Sequence, residues 1–386
     1  MAEGDSKTRR LAKAIVLTLP IALLMPMMIM GGQSGPKEPF QIVGMIVAYG
    51  FTVIAFFLIA FTGRTYKYRS LFFIIYAVAL VLTFAPAMIE ARGSMAVTQS
   101  EMAQGKTPFC HIVITATLIP AVLSRTIIFP GSMVEGFASI GSMLVLWLGA
   151  SIALGRGWCS WACFYGGLDE GFSRIGRKPI IKNISRKWVY LPFAILVAIM
   201  LLSAAMLSPM YCGWLCPFKA VTEFEAVTSA TVLVQTIIFV SLFAGLVVIG
   251  PILTKRRTQC GLFCPMGALQ SLTNKLNIFD IRIDPDKCVQ CGQCETSCPT
   301  FSIDRESIGK GKTRMTCTKC GKCVDECPKH AISYHIKGTP VGVKSHIARM
   351  AFVYPAFLFM AIIASGMISG AVYRILLLAT TGSLVK

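Results

Sequence analysis

The stretch Cys288-Val-Gln-Cys291-Gly-Gln-Cys294-Glu-Thr-Ser-Cys298-Pro299 decides the reading, because it recurs as Cys317-Thr-Lys-Cys320-Gly-Lys-Cys323-Val-Asp-Glu-Cys327-Pro328. Three closely spaced cysteines let a short loop wrap an iron–sulfur cube with its backbone N–H groups turned towards the sulfurs, and a fourth, followed by proline, reaches the other cube. The spacing therefore predicts two [4Fe–4S] clusters, one on Cys288, Cys291, Cys294 and Cys327, the other on Cys317, Cys320, Cys323 and Cys298. Gly292 and Gly321 relieve crowding where backbone meets cube. Structural zinc asks instead for Cys-x₂-Cys pairs separated by a longer gap, and the tripled runs do not fit it.

Outward from these runs the chain turns apolar. Of 386 residues, 55% are hydrophobic and only 14% charged, against about 25% charged in soluble domains. Apolar stretches of membrane-spanning length run over 12–30, 41–61, 71–89, 136–154, 188–207, 229–253 and 350–370. An eighth, 110–130, holds Pro120, Ser124 and Arg125; it reads as a span, a re-entrant helix or an interfacial helix. With the N-terminus inside and seven spans, the short inside loops carry 14 Lys and Arg against 7 outside, as the positive-inside rule asks. The formal charge of +19 then reads as basic cytoplasmic loops. No basic stripe interleaved with aromatics calls for nucleic acid. Lys7, Arg9, Arg10 and Lys13 ahead of the first apolar run outline a signal peptide, but the run ends without a small-x-small site and reads as a retained helix. Thr8-Arg9-Arg10 only faintly echoes a twin-arginine signal.

The expected fold is a polytopic α-helical membrane protein of about seven spans with an inserted α+β dicluster domain. It divides into transmembrane helices over 1–253, a cytoplasmic region over 254–349 with the cluster domain at about 280–336, and a final helix and tail over 350–386. Of fifteen cysteines, all but Cys110 fall in metal-ligand runs and pairs, which argues for a reducing compartment rather than disulfides.

Six further cysteines form three pairs, Cys159-Ser-Trp-Ala-Cys163, Cys212-Gly-Trp-Leu-Cys216 and Cys260-Gly-Leu-Phe-Cys264, at intervals of 53 and 48 residues. One apolar span separates successive pairs, so each unit inverts the last. Cysteines at i and i+4 of a helical turn project from one face, so two pairs together could grip a cluster. Cys159, Cys163, Cys260 and Cys264 share the cytoplasmic side in this topology and are the natural four ligands of a third centre. Cys212 and Cys216 then form a further redox site on the far side or dipping inward. A dithiol relay, another metal and plain buried thiols are the competing readings. Trp158, Trp161 and Trp214 read as interfacial anchors.

The paired runs across 280–336 resemble the dicluster ferredoxins. Thr258-Gln-Cys260-Gly-Leu-Phe-Cys264-Pro-Met-Gly-Ala-Leu ahead of them, with Gly155-Arg-Gly-Trp-Cys159-Ser-Trp-Ala-Cys163 and Tyr211-Cys-Gly-Trp-Leu-Cys-Pro, resembles the NapH/NosR/CcoG group of membrane polyferredoxins across about 155–335. Phe164 stands where that group's pattern has Pro, and three pairs stand where NapH-like proteins usually show two. The resemblance implies electron transfer in a bacterial or archaeal cytoplasmic membrane, between a cytoplasmic donor and quinone or a membrane or extracytoplasmic partner. It implies equally an assembly factor or metal reductase of CcoG type, or the membrane-anchoring subunit of a larger oxidoreductase with its redox partner proteins. An electron-transfer subunit is expected ahead of a stand-alone enzyme, with quinone oxidoreductase activity left open.

Four histidines, His111, His330, His335 and His346, only the first near membrane depth, do not supply a bis-histidine haem, and no C-x-x-C-H occurs; no haem is expected. His111 and Arg125 are candidate quinone contacts, since ionisable groups at membrane depth are functional by default. A snorkelling Arg and an interfacial His are the alternative.

Overall fold

The computed structural model describes residues 7–30, 38–90, 114–115, 140–176, 178–182, 184–222, 227, 229–340 and 345–384. Long apolar helices dominate. Those introduced first are α1 (Lys7–Met30), α2 (Pro39–Thr62) and α3 (Thr65–Glu90). After α4 (Ile140–Leu154) and α5 (Phe164–Phe172) come α6 (Leu191–Met206) and α7 (Ala230–Leu242). Helix α8 (Pro265–Thr273) leads into the cluster domain, and α9 (Ser345–Thr381) ends the chain.

Among the described residues six helical stretches are long and apolar enough to cross a membrane: 7–30, 39–62, 65–83, 187–206, 230–254 and 345–381. The expected span over 136–154 is described only as the 15-residue α4, and the segment 110–130 lies almost wholly outside the described residues. Val16, Leu23, Ile46, Leu201 and Ile237 are exposed on the outer helix faces, where a bilayer accepts them and helices satisfy their own backbone polar groups. The chain is a multi-pass membrane protein.

Helix α9 is the central post, packed against α2 and α3. Its buried residues Ala348, Phe352, Ala356, Met360, Ala364 and Ile368 recur every four positions; the small ones let neighbouring backbones approach, as close-packed membrane helices require. The 230–254 rod is not uniform. Its middle, Phe243–Ile249, is π-helical, and the carbonyl of Leu246 accepts the Thr258 hydroxyl at 2.6 Å. Tyr211–Leu215 is a second π turn. Such wide turns inside helices tend to mark functional sites, and both meet the same core as the cysteine pairs.

The cluster domain closes on a two-stranded antiparallel sheet. Strand β1 (Phe279–Ile283) runs against β2 (Ile332–Ile336), with Phe279 opposite Ile336 and Ile283 opposite Ile332. Alternation buries Phe279, Ile281 and Ile283. That face meets the start of α9: the Phe352 ring lies 5.4 Å from Phe279, 5.4 Å from Tyr334 and 5.9 Å from Trp161. One buried phenylalanine thus joins sheet, membrane helix and the first cysteine pair.

Candidate iron–sulfur centres

The two cysteine runs are built alike. Left-handed backbone occurs at Gln290, Gly292 and Phe301 in the first and at Lys319, Gly321 and His330 in the second, equivalent positions 29 residues apart. Each glycine caps a short helix, Gln293–Ser297 or Lys322–Glu326. The fourth cysteine of each run takes a backbone hydrogen bond on its sulfur: Ser302 N–H to Cys298 Sγ at 3.2 Å, Ala331 N–H to Cys327 Sγ at 3.3 Å.

Two rings result. Cys288, Cys291, Cys294 and Cys327 line one hollow together with Ile308 and Ile332. Cys323 lies within electrostatic reach of Cys317, Cys320 and Cys298, and of Cys294 of the first ring. Cys291 is exposed, whereas Cys298, Cys320 and Cys323 are buried, so one ring faces solvent and the other the membrane helices. Burial pushes Cys294 and Cys317 up to about 11; bare thiolates are disfavoured there and need cationic partners.

The first and third pairs are also copies, related by an offset of 101 residues. Cys159 and Cys260 sit on single helical turns, and the N–H of Cys163 and of Cys264 reaches back to Trp158 and Gln259 at 3.1 and 2.9 Å. Cys163 and Cys264 then turn to extended backbone and cap α5 and α8. Three residues on stand Gly166 and Gly267; a Cβ there would lie 2.3 Å from the Cys159 carbonyl oxygen and 3.1 Å from that of Cys260. The arginines three residues before each pair are exchanged. Arg156 donates to the Cys260 carbonyl at 2.9 Å, and Arg257 to the Cys159 carbonyl at 3.1 Å. Arg156 Nη1 meets Ser271 at 2.8 Å, while Arg257 meets Glu170, the equivalent position.

This exchange brings four thiols together. Cys163 lies within electrostatic reach of Cys159 and Cys264, and Cys260 within reach of Cys163 and Cys264. Burial pushes Cys264 up to about 12 and raises Cys163 and Cys260 further. The middle pair does not stand apart at an outer face. Cys216 and Cys212 join the same core, and Tyr211, wholly buried, lies within reach of Cys212, Cys216 and Cys264. Trp158 and Trp161 are buried too, so they are not interfacial anchors; Trp161 Nε1 donates to the Lys319 carbonyl of the second run at 3.2 Å.

Around the pairs lies a charge network that the spacing argument missed. Glu170, 1% exposed, accepts both oxygens' bonds from Arg69 at 2.7 and 3.0 Å and a further one from Arg257. Burial alone would raise Glu170, but Arg257 and Arg69 outweigh it and hold the carboxyl at about 2. Asp169 accepts the Cys260 N–H at 2.8 Å, and burial pushes it up to about 7. An arginine at the same distance before two of the three pairs was the available signal. Pro209 occupies that place before the middle pair, Cys212 and Cys216.

The fourteen described cysteines are free of disulfides, and among the described residues no three Cys, His, Asp or Glu gather at single-ion distance. The surroundings nonetheless fit a larger polar group. Buried hydroxyls of Ser297, Thr316 and Thr318 beside the rings, and the Gln259 amide and one Asp169 oxygen beside the pairs, have no hydrogen-bond partner among the described residues, although such atoms are normally satisfied. Cys110, His111 and Arg125 lie outside the described residues.

Comparison with known proteins agrees with this chemistry. Residues 280–328 match the family model of a 4Fe–4S dicluster domain. Residues 136–183, 188–227 and 236–282, one cysteine pair in each, match that of a 4Fe–4S binding domain. The chain is 28% identical over 186 residues to the electron transport protein YccM of Escherichia coli, covering 44% of this chain and 48% of that protein. It is 28% identical over 225 residues to NirI of Paracoccus denitrificans, covering 55% of this chain and 31% of NirI. An uncharacterized protein of Methanocaldococcus jannaschii is 24% identical over 180 residues, covering 45% of this chain and 68% of that one. The chain thus spans about half the length of YccM and less of NirI. No solved structure matches it. Cysteine rings, repeated cysteine-pair units and apolar helices together make the chain a membrane 4Fe–4S protein, similar over part of its length to YccM and NirI.

Proposed function

We propose that the chain relays electrons between a cytoplasmic donor and quinone or a partner in or beyond the membrane. Bound [4Fe–4S] clusters supply one-electron transfer without covalent chemistry. In this reading Cys288, Cys291, Cys294 and Cys327 hold the entry centre and Cys298, Cys317, Cys320 and Cys323 the second. Cys159, Cys163, Cys260 and Cys264 hold a third, with Cys212 and Cys216 beside it as a further redox site.

The residues divide the work. The N–H groups of Ser302 and Ala331 place hydrogen-bond donors on the Cys298 and Cys327 sulfurs. Trp161 and Phe352 close the space between the second ring and the pairs and keep water out. The buried arginines supply the positive charge that buried thiolates need. One observation carries the reading: Arg257 N–H binds the Pro299 carbonyl, next to Cys298, at 2.8 Å, while its guanidinium binds the Cys159 carbonyl. A single residue therefore touches both the second ring and the pairs, as a continuous relay demands.

A bilayer core is ~30 Å thick, so no single centre serves both faces. Proteoliposomes with ferricyanide trapped inside test the relay. External dithionite should reduce the trapped ferricyanide in wild type, and Cys260→Ala/Cys264→Ala should abolish this while the dicluster absorbance persists. Unchanged transfer in that variant, or none in fully loaded wild type, overturns the proposal.

A further inference from the structure

Three arginines are buried near the cysteines, and their charges are not fully matched. The guanidinium of Arg156, 2% exposed, donates to Ser271 and to the Cys260 carbonyl, with no carboxylate partner among the described residues. Arg69 and Arg257, both fully buried, share the single carboxylate of Glu170. Asp169, which accepts the Cys260 N–H at 2.8 Å, also lies within reach of Arg257, so three buried arginines face two carboxylates among the described residues. A buried cation left over in this way is costly unless an anion offsets it. Thiolate-bound iron–sulfur centres are such anions, and the two nearest Arg257 are reached through Cys260 and Cys320.

We infer that Arg257 is a positioning residue shared by two centres: a fixed positive charge, held in place by Glu170, that raises the reduction potential of both the second ring's centre and the paired-cysteine centre. The ring of Cys288, Cys291, Cys294 and Cys327 has no buried arginine beside it among the described residues, only the exposed Lys329 at its hollow, and so lacks this fixed charge. The order of stations follows. Electrons arrive at the exposed ring and find more favourable potentials at the buried ring and the pairs. An added electron places negative charge on a centre, and a nearby cation stabilises it. Glu170 works in the opposite sense, because it cancels part of that cation.

The half of this inference that concerns the pairs rests on the relay proposed above; the half that concerns the second ring does not. The test is an EPR-monitored redox titration of the full-length, detergent-purified protein, with the exposed ring's signal identified by its loss in Cys327→Ser. Arg257→Gln should shift the reduction equilibrium of the second-ring and paired-centre signals about tenfold towards the oxidised form, ~59 mV for one electron. Arg257→Lys keeps the charge and should stay within about threefold of wild type. Glu170→Gln should move the same signals the other way, and the exposed ring should not move in any variant. Equal shifts in Arg257→Gln and Arg257→Lys, a shift spread over every signal, or a downward shift in Glu170→Gln overturns the inference. If Arg257→Gln assembles no centres, Glu170→Gln decides by its sign. If wild type lacks a paired-centre signal, the relay reading of the pairs falls, and the second-ring signal still decides for Arg257.

Discussion

Replacing Glu170 with glutamine removes one negative charge and almost no volume from a site that water does not reach. Glu170 is 1% exposed and accepts bonds from Arg69 at 2.7 and 3.0 Å and from Arg257. Removing one member of a buried ion pair typically costs 3–5 kcal/mol, because the remaining charge stays buried. The environment of the carboxyl gives a second figure. The carboxyl moves from its free value of 4.5 to about 2, and at about 1.4 kcal/mol per unit that is ~3 kcal/mol. Since the folded-state value lies below the free one, this contribution is complete above pH 4.5 and disappears as pH falls towards 2. The assay is the rate at which iron–sulfur absorbance is lost on heating in detergent. At pH 7, ~3 kcal/mol expressed in the unfolding rate is about a hundredfold, and the gap between Glu170→Gln and wild type should narrow below pH 4.5. The exposed pair Lys310–Glu306 is the control, and breaking it should leave the rate unchanged. Equal behaviour of the two variants at pH 7 would refute the buried-pair argument.

Five further substitutions probe the site. Gly166→Ala places a methyl 2.3 Å from the Cys159 carbonyl, whereas Gly267→Ala meets Cys260 at 3.1 Å; the first should lose iron from the pairs and the second lose less, by iron analysis. Gly321→Ala combines φ +84 with a contact at 2.8 Å to the Tyr334 hydroxyl, while Gly292→Ala has φ +74 and open space. Both should cost about 1–2 kcal/mol for the left-handed backbone, with Gly321→Ala the worse in thermal melts. Phe352→Ala empties the contact between sheet, α9 and Trp161; at ~3–5 kcal/mol for a buried phenylalanine, it should speed proteolytic release of residues 280–336.

The cysteine runs were legible because cluster geometry fixes their spacing, and no other common use of cysteine needs a tripled run ending in Cys-Pro. The pairs were legible as a repeat, but their relationship was not. Read by interval, three units look equivalent. In the fold the first and third are the true copies, since only they carry Arg156 or Arg257 ahead of the pair and Gly166 or Gly267 behind it. Long-range exchange of those arginines has no local sequence signature, and neither does the burial that turns Glu170 from a surface charge into their common partner. Trp161 read as an interfacial anchor because composition shows an amphipathic ring and not its hydrogen-bond partner, the Lys319 carbonyl 158 residues away. Cys212 and Cys216 were placed by topology on an outer face; the buried Tyr211 beside them reaches back to Cys264.

Iron and acid-labile sulfide per chain, measured on anaerobically purified protein, test the account most directly. The two cubes of the dicluster domain alone correspond to about eight iron atoms, and a third cube at the pairs brings the total to about twelve. The account predicts about twelve in wild type, falling to about eight in Cys159→Ala/Cys163→Ala. About eight in wild type, unchanged by that double substitution, would contradict it.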